Sequence, residues 1–179
     1  IQIHGSSRLI EHLRFVEISQ KNFSTIKVKR SCILNITDVL LSFAYKNMGL
    51  KSLVLSERGN SADVEAIAKQ YSFVADAKAF RLSRTAKNQK DFKMQAMDSW
   101  KFGKPHAMVV CPIYQLPNRS SQIYHQSSSR NVCIFTYSHL SILVNYANEE
   151  GESKAEELLY QIFSTIAALN PSKNAVDYW

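Results

Sequence analysis

The run Phe73 to Phe80, FVADAKAF, alternates with the two-residue period of a strand. Phe73, Ala75, Ala77 and Ala79 fall on one face, and Val74, Asp76, Lys78 and Phe80 on the other. Asp76 and Lys78 therefore point the same way, with Cα atoms roughly 6.5–7 Å apart, so a carboxylate and an ammonium reach one phosphate. The alanines opposite let another element pack closely behind. Metal-dependent phosphodiester hydrolysis asks for such a pair: the carboxylate holds a divalent cation that polarises the phosphoryl oxygen and lowers the pKa of a bound water, while the lysine offsets charge developing on phosphorus. A surface strand also carries Asp-x-Lys for solubility, so the surrounding residues have to decide between the two.

Upstream, Leu53-Val54-Leu55 leads into a turn-rich segment, Glu57 to Asp63, with two acids. From Asp63, DVEAIAK suits either a strand or a short helix: Ala and Glu favour the helix, Val and Ile permit the strand. As a strand it forms a hairpin through Lys69 to Phe73, with Asp63 facing Asp76 so that the two acids share one metal. Downstream, Lys78, Arg81, Arg84, Lys87, Lys90 and Lys93 recur at every third position. That spacing drifts around a helix and makes either a band that follows a phosphate backbone or a solvated helix face.

The formal charge of +7 favours a polyanionic partner without identifying one. At 179 residues and 45% hydrophobic content, residues 1–179 are expected to form a single domain with a core. Its expected parts are N-terminal helices over about 6–49, a catalytic core over about 50–145 and a C-terminal helix over about 153–170. Cys32, Cys111 and Cys133 form no CxxC pair, are odd in number and have apolar neighbours; they read as buried free thiols in a reducing compartment. No apolar run approaches a membrane span and no signal-like segment is visible, so a cytoplasmic protein with no membrane partner is expected.

Ser6 or Ser7 caps a first helix with Leu9, Ile10, Leu13 and Val16 on one stripe. Cys32, Leu34 and Ile36 suggest a lead-in, after which Thr37 and Asp38 cap a second helix that stops near Gly49. From Ala86 to Met108 there is no Val, Ile or Thr, and Phe92, Ala96 and Trp100 step by four: a helix, closed by Gly103. AMVVC (107–111) and VCIFTY (132–137) read as strands, with a polar loop over 118–131 between them. Ser138 is expected to cap one helix, and Ser153 with Glu156 to form a capping box for the last. The order predicts an α/β fold, a central mixed β-sheet flanked by helices.

ERGNSADVEAIAKQYSFVADAKAFRLSRTAKNQKDFK, with the later SQIYHQS and SHLSIL, closely resembles the HindIII type II restriction endonuclease family, over roughly Glu57 to Leu143. The resemblance implies a restriction-endonuclease-like core of the PD-(D/E)xK nuclease superfamily, with carboxylates and a lysine presented to two Mg²⁺ ions. It also implies a bacterial homodimer acting on double-stranded DNA at the palindrome AAGCTT and leaving 5′ overhangs. Ser56 stands where the family carries a glutamate, with Glu57 beside it, and much of the family's helical C-terminal region has no counterpart.

Two frames compete for the site. In one, Asp63 leads, twelve residues intervene, and Asp76-Ala77-Lys78 is the D-x-K; in the other, Asp76 leads, fourteen intervene, and Asp91-Phe92-Lys93 is the D-x-K. Only a strand aims both side chains at one phosphate, and Asp91 to Lys93 sit in a segment of helical period, which favours the first. Asp63, Asp76 and the Ala77 carbonyl are then the expected metal ligands, Lys78 the group that stabilises phosphorus, and Glu57 an outer partner, with Asp91 approaching from the helix. For DNA, Arg84, Ala86, Lys87 and Asn88 open the helix expected in the major groove, and Arg81, Lys90 and Lys93 hold phosphates. A non-catalytic DNA-binding module of the same fold, or a repair or recombination nuclease with little sequence readout, are the alternatives.

Overall fold

The computed structural model describes residues 5–18, 30–55, 61–78 and 92–179, with the side chains of 18 and 30–35 outside the description. The predicted sites Glu57, Arg81, Arg84, Ala86, Lys87, Asn88, Lys90 and Asp91 lie outside the described residues.

Two helices open the chain, α1 (Ser6–Ile18) and α2 (Arg30–Asn47). In α1, Leu9, Ile10, Leu13 and Val16 are buried, the stripe read from their spacing. α2 starts well before Thr37, which is an interior residue of the helix and buried; the expected cap there does not exist. Its end is a left-handed glycine cap: Gly49 has φ +82°, and the Leu50 N–H reaches back to the Tyr45 carbonyl at 3.1 Å. A Cβ on Gly49 would sit 2.9 Å from Glu152 Cβ, so glycine also permits the close approach of a later helix.

Five strands follow: β1 (Lys51–Val54), β2 (Val64–Ile67), β3 (Ser72–Ala77), β4 (His106–Cys111) and β5 (Val132–Thr136), in the sheet order β1-β2-β3-β4-β5. β1, β2 and β3 are antiparallel, whereas β3, β4 and β5 are parallel. DVEAIAK is thus a strand, and Leu53-Val54 belongs to one. The sheet changes character along this order. β1 is mostly exposed, while every residue of β4 and β5 is buried, as parallel strands covered on both faces must be. Tyr45 of α2 packs edge-on against Phe73 and points its hydroxyl at Met108 Sδ, so α2 covers the face bearing Phe73, Ala75 and Met108.

The parallel crossovers carry α3 (Met94–Ser99), between β3 and β4, and α4 (Gln122–Ser129), between β4 and β5. α4 falls where a polar loop was expected. It is capped by Ser121, and its serines are buried because they have partners: Ser127 Oγ donates to the Val132 carbonyl and lies 3.1 Å from the Tyr178 hydroxyl. The chain ends with α5 (Tyr137–Glu150), α6 (Glu152–Ala168) and α7 (Ala175–Tyr178). α5 is capped by Thr136 in a capping box with His139, two residues ahead of the expected Ser138, because β5 runs directly into the helix. α6 has no side-chain cap; Glu156 instead accepts the Lys69 N–H at 2.9 Å, tying the helix to the β2–β3 turn. Tyr178 Oη accepts the Ile134 N–H at 2.7 Å, which occupies a backbone donor of the edge strand β5. Cys111 and Cys133 are buried free thiols, and burial pushes the Cys133 thiol up to about 12.

Candidate active site

The hairpin register places Val64 opposite Ala75, and one step further Asp63 stands opposite Asp76. The Asp63 N–H donates to the Ala75 carbonyl at 3.0 Å, and its Oδ2 accepts the Ala77 N–H at 2.8 Å. A carboxylate has replaced the next backbone acceptor of the ladder where β2 leaves the pairing. The Lys78 N–H donates to the Val110 carbonyl at 2.7 Å on the β4 side. Because N–H and C=O oppose one another across a trans peptide, the Ala77 carbonyl faces the Asp63 side. Asp76 and Lys78 lie on the same side of the chain, as the alternation predicts, and their side chains form an ion pair with both residues buried.

Burial raises the Asp63 carboxyl above its ordinary value and prevails over the Ala77 N–H and the charges of Lys78 and Lys93, each of which lowers it. Lys93 therefore lies within electrostatic reach of Asp63 although it is thirty residues away. It sits in the left-handed region at φ 47°, immediately before α3, with Nζ 5.3 Å from the centre of the Trp100 ring. Trp100 is itself buried, a core residue beneath this lysine. Phe92 and Lys93 are not in a strand, and Phe92 is fully buried, so this triplet does not present side chains as Asp76-Ala77-Lys78 does. The electrostatic reach of Lys93 to Asp63 had no local signal in the sequence.

The donor set is two carboxylates and a backbone carbonyl, all oxygen. Mg²⁺ takes such a set, since it keeps several waters and needs only one or two carboxylates besides a substrate phosphate. A half-buried carboxyl whose desolvation outweighs its hydrogen bond and two lysines is one that a divalent cation would stabilise in its ionised form. Among the described residues no group of three His, Cys, Asp or Glu converges.

A mixed five-stranded sheet with helices on its faces is a restriction-endonuclease-like fold. In line with this, the small subunit (R.BspD6I2) of the heterodimeric restriction endonuclease R.BspD6I superposes with a TM-score of 0.57 over 88% of each chain at 12% identity, a likeness of fold. The chain belongs to the HindIII restriction endonuclease family, whose model matches residues 1–179. It is 39% identical over 156 residues to the type II restriction enzyme HindIII of Haemophilus influenzae, covering 86% of this chain and 52% of that protein. The chain thus spans about half the length of the curated relative it matches.

Proposed function

We propose that the chain is a Mg²⁺-dependent endodeoxyribonuclease that hydrolyses double-stranded DNA at a palindrome like AAGCTT, leaving 5′ overhangs. The observation that carries this reading is the meeting of Asp63, Asp76, the Ala77 carbonyl and Lys78 at one end of β3, in a chain of the HindIII family. Asp63, Asp76 and the Ala77 carbonyl would hold Mg²⁺, which when bound polarises the phosphoryl oxygen and activates water for in-line attack. The ion pair with Asp76 directs Lys78 to the acid side, where its ammonium would offset charge developing on phosphorus. Lys93, within electrostatic reach of Asp63, would add a second positive charge suited to holding a phosphate oxygen. Support for the frame led by Asp63 comes from Lys93 preceding a helix and lying outside any strand. Glu57 and Asp91 are the acids available to complete the site. Arg81, Arg84, Ala86, Lys87, Asn88 and Lys90 supply DNA contacts, with Asn88 placed by its chemistry to read adenine.

A palindrome presents the same edges twice, so a chain with one site cuts both strands as a two-fold dimer on DNA. The test is to incubate the protein with plasmid and Mg²⁺ and sequence the fragment ends. Linear product with a fixed 5′ overhang is expected; scattered ends favour a nuclease with little readout, and intact plasmid leaves a DNA-binding module.

A further inference from the structure

Lys78 follows the last residue of β3, and its backbone is held on both sides of its Cα. In the parallel register Ala77 pairs with Val110, and the Lys78 N–H donates to the Val110 carbonyl at 2.7 Å. A parallel ladder would next turn the N–H of residue 112 toward the Lys78 carbonyl. Residue 112 is proline, so the ladder has no donor to give there. Pro112 keeps an extended backbone, with φ −62° and ψ 148°, and what the pairing lacks at this point is the hydrogen. A side chain supplies one instead: the Tyr137 hydroxyl donates to the Lys78 carbonyl at 3.4 Å. Tyr137 opens α5 directly after β5, and β4 lies between β5 and β3, so the phenol reaches across one strand to serve another.

Tyr137 is fully buried. A phenylalanine would fill the same space with no hydroxyl to desolvate, so core packing alone does not call for a phenol here. Burial pushes the Tyr137 phenol well above its ordinary value, so it stays protonated and donates. Each peptide unit is planar: fixing the Lys78 N–H sets the plane before its Cα, and fixing the carbonyl sets the plane after it. Together the two planes set the direction of Cβ. A bond of 3.4 Å is long, yet it acts on the torsion that the pairing with β4 does not reach. On the reading that the end of β3 is a nuclease site, we infer that Tyr137 is a positioning residue: its hydroxyl takes the place of the N–H that Pro112 lacks, fixes the Lys78 carbonyl, and so aims the lysine side chain toward Asp76, with which it pairs.

The experiment compares wild type, Tyr137→Phe, Pro112→Ala and the double variant in single-turnover cleavage of plasmid with Mg²⁺ and in DNA binding with Ca²⁺. Tyr137→Phe should slow cleavage about 10-fold, the scale of a small displacement of a reacting group, with affinity little changed. Pro112→Ala returns an N–H to the end of the ladder, so the double variant should recover most of the rate that Tyr137→Phe loses. A tyrosine that only fills the core would give no such recovery. Wild-type cleavage by a folded Tyr137→Phe protein, equal losses of affinity and rate, or a double variant no faster than Tyr137→Phe overturns the inference. The carbonyl-carbon resonance of Lys78 needs neither DNA nor metal and separates this inference from the nuclease reading. It should move in Tyr137→Phe and return toward its wild-type position in the double variant, while that of Val74, within the same strand, stays. An unmoved Lys78 resonance in Tyr137→Phe overturns the positioning even if the plasmid is cut, and intact plasmid with wild type overturns only the nuclease reading. Should Tyr137→Phe not fold, Pro112→Ala decides: its new N–H competes for the same carbonyl, so the Lys78 resonance should move, and one that stays in place is equally fatal.

Discussion

At its start, β3 is surrounded by rings: Phe73 lies 4.9 Å from both Tyr45 and Phe163, Tyr71 stacks at 6.2 Å, and His106 stacks on Phe163 at 4.7 Å. At its other end the same strand carries Asp76 and Lys78, with Asp63 on its backbone and Lys93 in electrostatic reach. The first end gains by excluding water from apolar surface, and its shape complementarity makes it stable. The second end excludes water from charge, which is unfavourable to folding unless something is bound there. The strand is anchored at one end so that the other can carry poorly compensated groups.

Asp76→Ala should give the largest effect, a loss of Mg²⁺-dependent cleavage of about 10³-fold, while DNA binding without metal is kept or improved. Undiminished cleavage by the folded variant would remove the functional half of the contrast.

At the opposite end, Phe163→Ala should destabilise by about 3–5 kcal/mol, read as a lower denaturation midpoint, with the cleavage rate of the folded fraction unchanged. A variant that stays stable but cuts slowly would mean that the two ends are not separable.

Asp63→Asn sharpens the contrast, because stability and activity should move in opposite directions. The folded-state pKa of Asp63 is raised, so its ionisation is disfavoured by folding, and stability is lost as pH rises from the ordinary carboxyl value through the raised one. An amide keeps an acceptor for the Ala77 N–H and has no charge, so the variant should gain about 0.5–2 kcal/mol at neutral pH while cleavage collapses. Thermal melts at pH 4 and pH 7 check this: the gain should shrink at the lower pH.

The smallest effect is expected from His106. Burial, and then the charge of Lys101, lower its pKa below 6.5. The unfolded chain therefore takes up the proton first, and stability, full above that value, falls as pH drops through the lowered pKa. His139 is lowered by burial as well and acts with the same sign, so the measurement is the difference between wild type and His106→Gln in urea midpoints at pH 7.5 and pH 5.5. A difference that does not change with pH would make the ring cluster indifferent to protonation.

What could be read from the residues in order was whatever depends on neighbours in the chain. The two-residue alternation of FVADAKAF puts Asp76 and Lys78 on one side and the apolar stripe of α1 names its buried face, whereas DVEAIAK suited strand or helix until its pairing with β3 made it a hairpin. The family likeness is of the same kind, carried by a long run of unusual composition. α4 was not legible, since its serines earn their burial from the Val132 carbonyl and from Tyr178, which stands 51 residues after Ser127. Nor were the caps at Thr136 and Gly151, because the strand-to-helix junction and the approach of α6 to Gly49 decide where those helices start. Local spacing could place Asp63 opposite Asp76, but only the packed sheet shows its Oδ2 on the Ala77 N–H, Lys93 within electrostatic reach of it, and Glu17 on the Ile113 N–H after β4. Hydrogen bonds and charges act across space, and the sequence separation of their partners carries no periodic trace; sequence alone determined which side chains share a face, and tertiary structure decided which faces meet.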